Sequence, residues 1–361
     1  MIVKVKIMHK LYKIILFRQI KMADINETDD LFEPNDMIDE YCIEGSLVIK
    51  TKNFVYKAFI PGEEKKYYVI KALSYQTSKD IEKFNREEDI LTKLANQSFI
   101  LPNISNIPYR VNIVEKNKDG QNEEKEWNFI CRVSPFVENL DLRDFFLNKM
   151  LKCSSFEKGM KMTKTIFYKS LKILEILQEN SIVHHDIKMQ NFLVANLDTI
   201  DLILIDFEFA YQLEEGEKIS RYCGTRPYIA PEVLLKKNHD ISVDIWSLGV
   251  MIYFMYHGYF PFKISPNEKR EDIYQKIVQN ELEIDGRVPD ECRNILIEML
   301  QINPEKRLKP KDAVENHFFD DMRNVLPICE ETKRAVCQMS DLQTEVKSAE
   351  KIEDAAFDGN S

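Results

Sequence analysis

The chain has 361 residues, 44% of them hydrophobic, which is enough for one large domain or two lobes around a substantial core. Its formal net charge of −10 gives no electrostatic basis for binding nucleic acid. No apolar run approaches the roughly 18–20 residues that a transmembrane segment needs, and the seven scattered cysteines, without a C-x-x-C pair, are typical of reduced thiols in the cytoplasm or the nucleus.

Residues 1–40 are predicted to be an N-terminal extension. Residues 1–21 mix basic and apolar side chains, so a basic amphipathic helix on a membrane surface is one interpretation. The other is that Met22 is the true start, because it opens an acidic stretch typical of a cytosolic protein. The sequence leaves both interpretations open.

The next part of the chain is predicted to contain strands and one helix. Mixed apolar and polar residues predict strands over residues 41–50 and 54–59, and a third strand contains Lys71. Apolar side chains at helical spacing predict a helix over residues 79–95, which places Glu87 sixteen residues after Lys71.

A hairpin is predicted to follow this helix. Its strands are expected around residues 111–114 and 127–133, and the charged segment 115–126 between them is expected to be a long loop. Ser134 and the residues after it then lead into the second half of the chain.

The second half is predicted to be mainly helical, with helices over residues 162–179, 240–257, 273–279 and 290–300. The segment His317-Phe318-Phe319 is expected to end the folded domain. Residues 320–361 are charged and lack sustained apolar periodicity, so they are predicted to form a C-terminal tail.

One polar loop after the helix 162–179 concentrates several reactive groups. Asp186, Lys188 and Asn191 fall within six residues, and an apolar run delivers a second carboxylate, Asp206. Phosphoryl transfer needs one carboxylate to accept a hydroxyl proton, a cation to steady the transferred group, and an amide with a second carboxylate to hold Mg²⁺. The pattern therefore favours phosphoryl-transfer chemistry.

Motifs around these groups point to a family. His184-His185-Asp186-x-Lys188-x-x-Asn191 is similar to H-R-D-x-K-x-x-N, and Asp206-Phe207-Glu208 to D-F-G. Gly224-Thr225 with Ala230-Pro231-Glu232 and Asp244-x-Trp246 continue the match. Together they resemble the eukaryotic protein kinase superfamily of the serine/threonine type. The resemblance implies an α+β bilobal fold over residues 41–319, with a small antiparallel sheet and C-helix lobe (41–134) above a larger, mainly helical lobe (135–319).

The resemblance also implies roles for the loop residues. Asp186 would be the catalytic base toward a Ser or Thr hydroxyl of a protein substrate, assisted by Lys188 and Thr225. Asn191 and Asp206 would bind Mg²⁺ through oxygen, which this hard ion prefers.

An ATP site is implied between the lobes. Lys71 would meet the α- and β-phosphates and pair with Glu87 of the C-helix, while Glu88 is an alternative one residue on. The residues expected to bind the nucleotide are Val48, Val55, Val69, Lys71, Ser134, Phe136, Val137 and Leu193. Because Pro135 lacks an N–H, the adenine would rely on the backbone of Phe136 and Val137.

The sequence departs from the family pattern at the phosphate loop and the metal loop. Val48, Lys50 and Asn53 stand at the three glycine positions of G-x-G-x-x-G. Glu208 replaces the glycine of D-F-G, where a left-handed backbone would cost a non-glycine residue roughly 1–2 kcal/mol. Its carboxylate would lie either near Mg²⁺ or in solvent, and the second place is favoured.

A second departure affects regulation. His185 replaces the arginine that clamps an activation-segment phosphate, and Arg221 stands where many relatives carry the phosphorylated threonine. These changes predict a kinase that does not need activation-segment phosphorylation. Ser220 and Tyr222 are the residues to inspect if this prediction fails.

Two functions remain compatible with the motifs. One is an ATP- and Mg²⁺-dependent Ser/Thr protein kinase, and the alternative is a pseudokinase that acts as a binding scaffold with weak or no turnover. The motifs do not assign a subfamily: they lean toward calmodulin- or cyclic-nucleotide-dependent kinases but also share features with the replication-initiating kinase of the cell cycle.

Overall fold

The computed structural model describes residues 31–50, 53–63, 66–116, 122–138, 140–153, 155–262, 264–265, 267–279, 282–329 and 332. At 48–50, 53, 112–116 and 122–125 it describes the backbone alone. The basic segment 1–21, Met22 and residues 333–361 of the predicted tail lie outside the described residues, as do the side chains of Val48, Lys50 and Asn53.

The first lobe is built on a six-stranded antiparallel sheet. Its strand order is β1-β2-β3-β4-β6-β5, so that β6 lies between β4 and β5. The strands are β1 (Met37–Ile38), β2 (Tyr41–Lys50), β3 (Asn53–Phe59), β4 (Tyr67–Ser74), β5 (Ser105–Lys116) and β6 (Asn122–Pro135).

One face of this sheet carries the core of the lobe. Tyr56 and Ile70, paired in register on β3 and β4, are fully buried there. Phe32 and Ile38 pack into the same cluster, so the packed lobe begins before residue 41. The predicted boundary at residue 41 falls later because isolated apolar side chains carry no strand or helix periodicity.

The predicted long loop over residues 115–126 is wrong. Strands β5 and β6 continue through most of that segment and pair in register as far as Lys116 and Asn122. The prediction ended each strand where polar residues begin. Backbone hydrogen bonds hold an antiparallel ribbon together whatever its side chains, so polar residues do not end it.

Helix α1 (Ser78–Lys93) packs against the sheet, close to the predicted helix 79–95. Thr77 caps it: the hydroxyl accepts from the N–H of Asp80 and the Asp80 carboxylate accepts from the N–H of Thr77, a capping box. Phe84, Glu87 and Ile90 are buried. One face of α1 therefore points a carboxylate toward the sheet and the cleft.

The second lobe is mainly helical. A π-helical turn (Phe146–Met150) follows its first helix, and α3 begins six residues before the predicted start because its first turn is solvent-exposed and lacks apolar periodicity. The helices are α2 (Leu142–Phe145), α3 (Phe156–Glu179), α4 (Pro231–Leu234), α5 (Ser242–His257), α6 (Arg270–Gln279), α7 (Asp290–Met299) and α8 (Pro310–Val314). Among the described residues, no helix combines the length and apolar composition needed to cross a membrane.

Two small two-stranded antiparallel sheets carry the loops of interest. They pair β7 (Ile182–Val183) with β10 (Tyr211–Gln212), and β8 (Phe192–Asn196) with β9 (Asp201–Leu204). Helix α5 is buried on nearly all sides and contacts the loop that follows β7. The loop after β7 is therefore supported by a buried helix.

A buried ion pair closes the second lobe. Nη2 of Arg307 is 2.7 Å from Oε2 of Glu232, and both residues are about 5% exposed. A pair of this kind costs desolvation when it forms, and removing one partner leaves a buried charge uncompensated. The pair therefore holds the segment after α7 against α4.

The first part of the predicted tail is packed. The N–H of Leu202 donates to the carbonyl of Pro327 (3.2 Å), the N–H of Cys329 donates to Asp201 (3.2 Å), and Ile328 is buried. Packed structure thus continues past residue 319. Composition alone did not reveal it because the contacts run through the backbone and a few apolar side chains.

Candidate active site

The loop after β7 is pinned from below by Asp244 of α5. Its carboxylate accepts hydrogen bonds from the backbone N–H of His184 (2.6 Å) and of His185 (2.8 Å). His185 has a φ of 67°, in the left-handed region, which turns the chain so that Asp186 faces the cleft. Sequence reasoning matched Asp244 to a motif but did not foresee this contact.

The loop side chains converge on the Asp186 carboxylate. Its Oδ1 accepts from the Thr225 hydroxyl (2.7 Å), and its Oδ2 accepts from the Lys188 ammonium and from Nδ2 of Asn191 (3.1 Å). Lys188 also donates to the Thr225 hydroxyl (2.9 Å), and Nδ2 of Asn191 donates to the Asp186 carbonyl (2.8 Å). Asp186 is 4% exposed. Four of the predicted residues thus form one hydrogen-bonded group.

Gly224 permits this convergence. It has a φ of 95°, and a Cβ at this position would lie 2.5 Å from the carbonyl oxygen of His185. A side chain here would therefore push the Thr225 segment away from the loop. A glycine is required before Thr225 because the backbone of His185 lies too close to position 224 for a side chain.

Asn191 and Asp206 lie at the same end of the β8–β9 hairpin. The N–H of Ile205 donates to the carbonyl of Asn191 (2.9 Å), and Asp206 follows with a left-handed φ of 67°. Carboxylate and amide oxygens suit Mg²⁺, which commonly completes its shell with substrate phosphates and water. These two residues therefore fit the expected ion.

The charge state of Asp206 is set by its neighbours. Burial alone would raise the pKa of this carboxyl, but the Lys71 ammonium, 2.8 Å away, outweighs burial and lowers the pKa to about 2. Burial lowers the pKa of Lys71, while Glu87 and Asp206 raise it by more. Asp206 is thus an ionised oxygen donor at neutral pH.

Glu87 of α1 has two cations near it. Nζ of Lys71 is 4.0 Å from Oε1 of Glu87, while Nη1 of Arg132 is 2.8 Å from the same oxygen. Nη2 of Arg132 also makes an ion pair with Glu88 at 2.5 Å. The predicted pairing of Lys71 with Glu87 is therefore loose, and Arg132 is the nearer partner.

Sequence reasoning missed Arg132. The available signal was a charged residue inside the apolar run Ile130-Cys131-Arg132-Val133, because a buried arginine needs an acidic partner. Arg132 is 6% exposed and lies opposite Lys71 in the β4–β6 register.

The side chains predicted to bind the nucleotide line the cleft side of the sheet and the loop below it. Val55 and Val69 alternate with the core residues Tyr56 and Ile70, so they point away from the core. All the described members of the predicted set are half-buried: Val55, Val69, Lys71, Ser134, Phe136, Val137 and Leu193. Val48 pairs with Val55 in register, and its side chain lies outside the described residues.

One adenine contact expected from the sequence is not available. The N–H of Phe136 donates to the carbonyl of Tyr67 (3.0 Å), so it cannot also donate to a base. The expectation failed because Pro135 does not end the β4–β6 pairing: the hydrogen bond from Phe136 extends it by one residue. Val137 is left as the backbone donor of the predicted pair.

His184 has the environment of a structural residue. Its ring is fully buried and meets the ring of Phe207 edge-on, with centroids 4.8 Å apart. Burial lowers its pKa, which keeps the ring neutral.

Glu208 does not have a left-handed backbone, and its carboxylate is paired with a cation and only partly exposed to solvent. Asp206 takes the positive φ, Glu208 lies in a short 3₁₀ turn (Phe207–Phe209), and its carboxylate pairs with Lys83 of α1. The expectation was wrong because α1 supplies a cation that lies far away in the sequence.

His185 does not supply a cation that could bind a phosphate of the activation segment. Its Nδ1–H donates to the carbonyl of Phe209 (3.0 Å), and its Nε2 is 3.0 Å from Nε2 of His239. Burial, the second imidazole and Arg221 lower the pKa of His185 to about 3. The ring is therefore neutral at pH 7 and fully engaged within the protein.

Comparisons with known proteins give a consistent picture. The family model described as Protein kinase domain matches residues 53–319. Ribosomal protein S6 kinase alpha-6 of Mus musculus is 30% identical over 252 residues, which is 62% of this chain and 32% of the relative. Ribosomal protein S6 kinase alpha-1 of Rattus norvegicus is 28% identical over 240 residues, or 60% and 32%. The chain spans about a third of the length of these curated relatives.

Proposed function

The chain belongs to the eukaryotic serine/threonine protein kinase superfamily. From that premise we propose that it transfers the γ-phosphoryl group of ATP to Ser or Thr hydroxyls of protein substrates. The observation that carries the proposal is the hydrogen-bonded group around Asp186. It unites a carboxylate, an ammonium, a hydroxyl and an amide at the mouth of the cleft between the lobes.

Asp186 would orient the substrate hydroxyl and accept its proton. Thr225 holds one carboxylate oxygen, and Lys188 and Asn191 hold the other, so the carboxylate is oriented before the substrate arrives. A base that is already oriented lowers the barrier because little freedom is lost on the way to the transition state. Lys188 would also be close enough to steady the transferred phosphoryl group.

Lys71, Asn191 and Asp206 would hold the nucleotide phosphates and Mg²⁺. Bound Mg²⁺ would neutralise charge that develops on the β- and γ-phosphates. Asp206 supports this role as an ionised carboxylate, and Asn191 uses its amide nitrogen inside the loop, which leaves the amide oxygen to face the ion. The backbone N–H of Val137 would donate to the adenine.

A second candidate is a pseudokinase that acts as a binding scaffold. The observation in its favour is the lack of glycine at Val48, Lys50 and Asn53, because side chains there hinder the approach of backbone amides to phosphates. We favour catalysis because a scaffold has no need of the hydrogen bonds that orient Asp186.

The test is phosphoryl transfer to a generic Ser/Thr protein substrate with Mg²⁺ and ATP. Asp186→Asn keeps the shape of the side chain but removes the base, so we expect kcat to fall by about 100-fold or more, or about 2.7 kcal/mol of transition-state stabilisation. The matched control is Asp198→Asn on the exposed turn between β8 and β9, which should keep the wild-type rate. Equal, background-level signal in wild type and Asp186→Asn would overturn the catalytic proposal and favour the scaffold.

A further inference from the structure

An ion pair joins α1 to the segment that follows Asp206. Nζ of Lys83 donates to Oε1 of Glu208, although the two residues are 125 positions apart. Nζ of Lys83 also lies 5.7 Å from the ring centroid of Phe209. The Glu208 side chain is 19% exposed and that of Lys83 39%, so solvent screens the pair only in part.

Lys83 lies one helical turn before Glu87, on the same face of α1. In the adjoining turn, Nε of Arg86 donates to the carbonyl of Ala210 (3.3 Å). Lys71 bridges the same two elements, because it is 2.8 Å from Asp206 and 4.0 Å from Glu87. The helix is thus attached to the segment 206–210 at successive points along one face.

The backbone accommodates Glu208 without strain. The residue lies in a 3₁₀ turn, and Asp206 carries the positive φ. A glycine at position 208 would leave the backbone free to move and would remove the carboxylate that Lys83 contacts. Glu208 therefore adds an ion pair between this segment and α1.

We propose that Glu208 is a positioning residue: through Lys83 it holds α1, and with it Glu87, against the segment that carries Asp206. Its effect on catalysis rests on the proposed kinase function. The ion pair between Lys83 and Glu208 is present in the nucleotide-free chain, so its effect on α1 can be measured without turnover.

The direct test is amide hydrogen exchange of residues 78–93 in the nucleotide-free full chain. Glu208→Gln removes the charge at nearly constant size, and Lys83→Met removes the cation but keeps the stem. We expect both variants to speed exchange in α1 about 2- to 5-fold, the range for a partly exposed ion pair. Lys79→Met, an exposed lysine one turn earlier on α1, is the control and should exchange like wild type.

Charge reversal separates positioning from a general loss of stability. The double variant Lys83→Glu with Glu208→Lys should recover slow exchange in α1, whereas each single reversal should not. Kinetics should show the same rescue, with kcat lowered in the single variants and the KM for the protein substrate unchanged. Wild-type exchange in Glu208→Gln, or absence of rescue by the double reversal, would overturn the proposal. If Glu208→Gln and Lys83→Met speed exchange in α1 but the wild type shows no phosphoryl transfer, the kinase function is rejected and the ion pair between Lys83 and Glu208 stands.

Discussion

Arg132 is closer to Glu87 than Lys71 is: the Nη1 atom of Arg132 lies 2.8 Å from Oε1 of Glu87, and Nζ of Lys71 lies 4.0 Å from it. Lys71 makes its shorter contact with Asp206, at 2.8 Å. Because Lys71 and Arg132 face each other on β4 and β6, the sheet offers one cation to the helix and another to the metal loop. Each carboxylate therefore has a near partner of its own.

Replacing Arg132 should destabilise the first lobe. Arg132→Met removes one partner of a buried ion pair and leaves Glu87 with Lys71 alone, so we expect the free energy of unfolding to fall by about 3 kcal/mol. Urea unfolding of wild type and variant measures this change. Arg110→Met, on an exposed position of β5, is the control and should stay within about 0.5 kcal/mol. A change that small in Arg132→Met would show that Lys71 compensates fully.

Removing the Thr225 hydroxyl should slow the chemical step. Thr225→Val loses the 2.7 Å hydrogen bond to Asp186, and we expect kcat to fall about 10- to 100-fold with little change in the melting temperature. Thr225→Ser keeps the hydroxyl and should retain most of the rate. In the Asp186→Asn background, Thr225→Val should add little, because the two residues act together. Full additivity would contradict a shared role.

His185 should make stability depend on pH. Its folded-state pKa of about 3 lies below the value of 6.5 expected when unfolded, so the unfolded chain takes up the proton first as pH falls. The contribution of His185 is complete above pH 6.5 and declines toward pH 3. Between pH 7.5 and pH 5, wild type should lose about 2 kcal/mol more than His185→Gln, measured by urea unfolding. If the free energy of unfolding of the two proteins changes with pH in parallel, His185 does not make this contribution.

Activity should not require phosphorylation of the activation segment. His185 is engaged by Phe209 and His239, and the Ser220 hydroxyl donates to the carbonyl of Lys236 (2.6 Å). Phosphatase treatment of the pure protein, and the variants Ser220→Ala and Tyr222→Phe, should leave the specific activity within about twofold. A drop of tenfold or more after phosphatase would refute the prediction.

Motif reasoning located the reactive loop well because its residues are close in sequence. Asp186, Lys188 and Asn191 lie within six residues, so a short turn (Met189–Asn191) brings them together. Apolar periodicity likewise predicted α1, α3 and α5, with errors at the ends where exposed turns carry no pattern. The charged ends of β5 and β6 were not predicted, because hydrophobic patterning does not detect strands that are held by backbone hydrogen bonds.

By itself, the sequence determined the family, the α+β fold and the identity of the candidate base and metal ligands, because each is encoded in a motif with fixed local spacing. The tertiary structure alone decided which cations hold the carboxylates of α1 and of position 208. Arg132 is 45 residues from Glu87, and Lys83 is 125 residues from Glu208. Residues so far apart in the sequence form an ion pair only when packing brings strand, helix and loop together. The energy of an ion pair depends on the distance between the charges in space, so it produces no periodic pattern in the sequence.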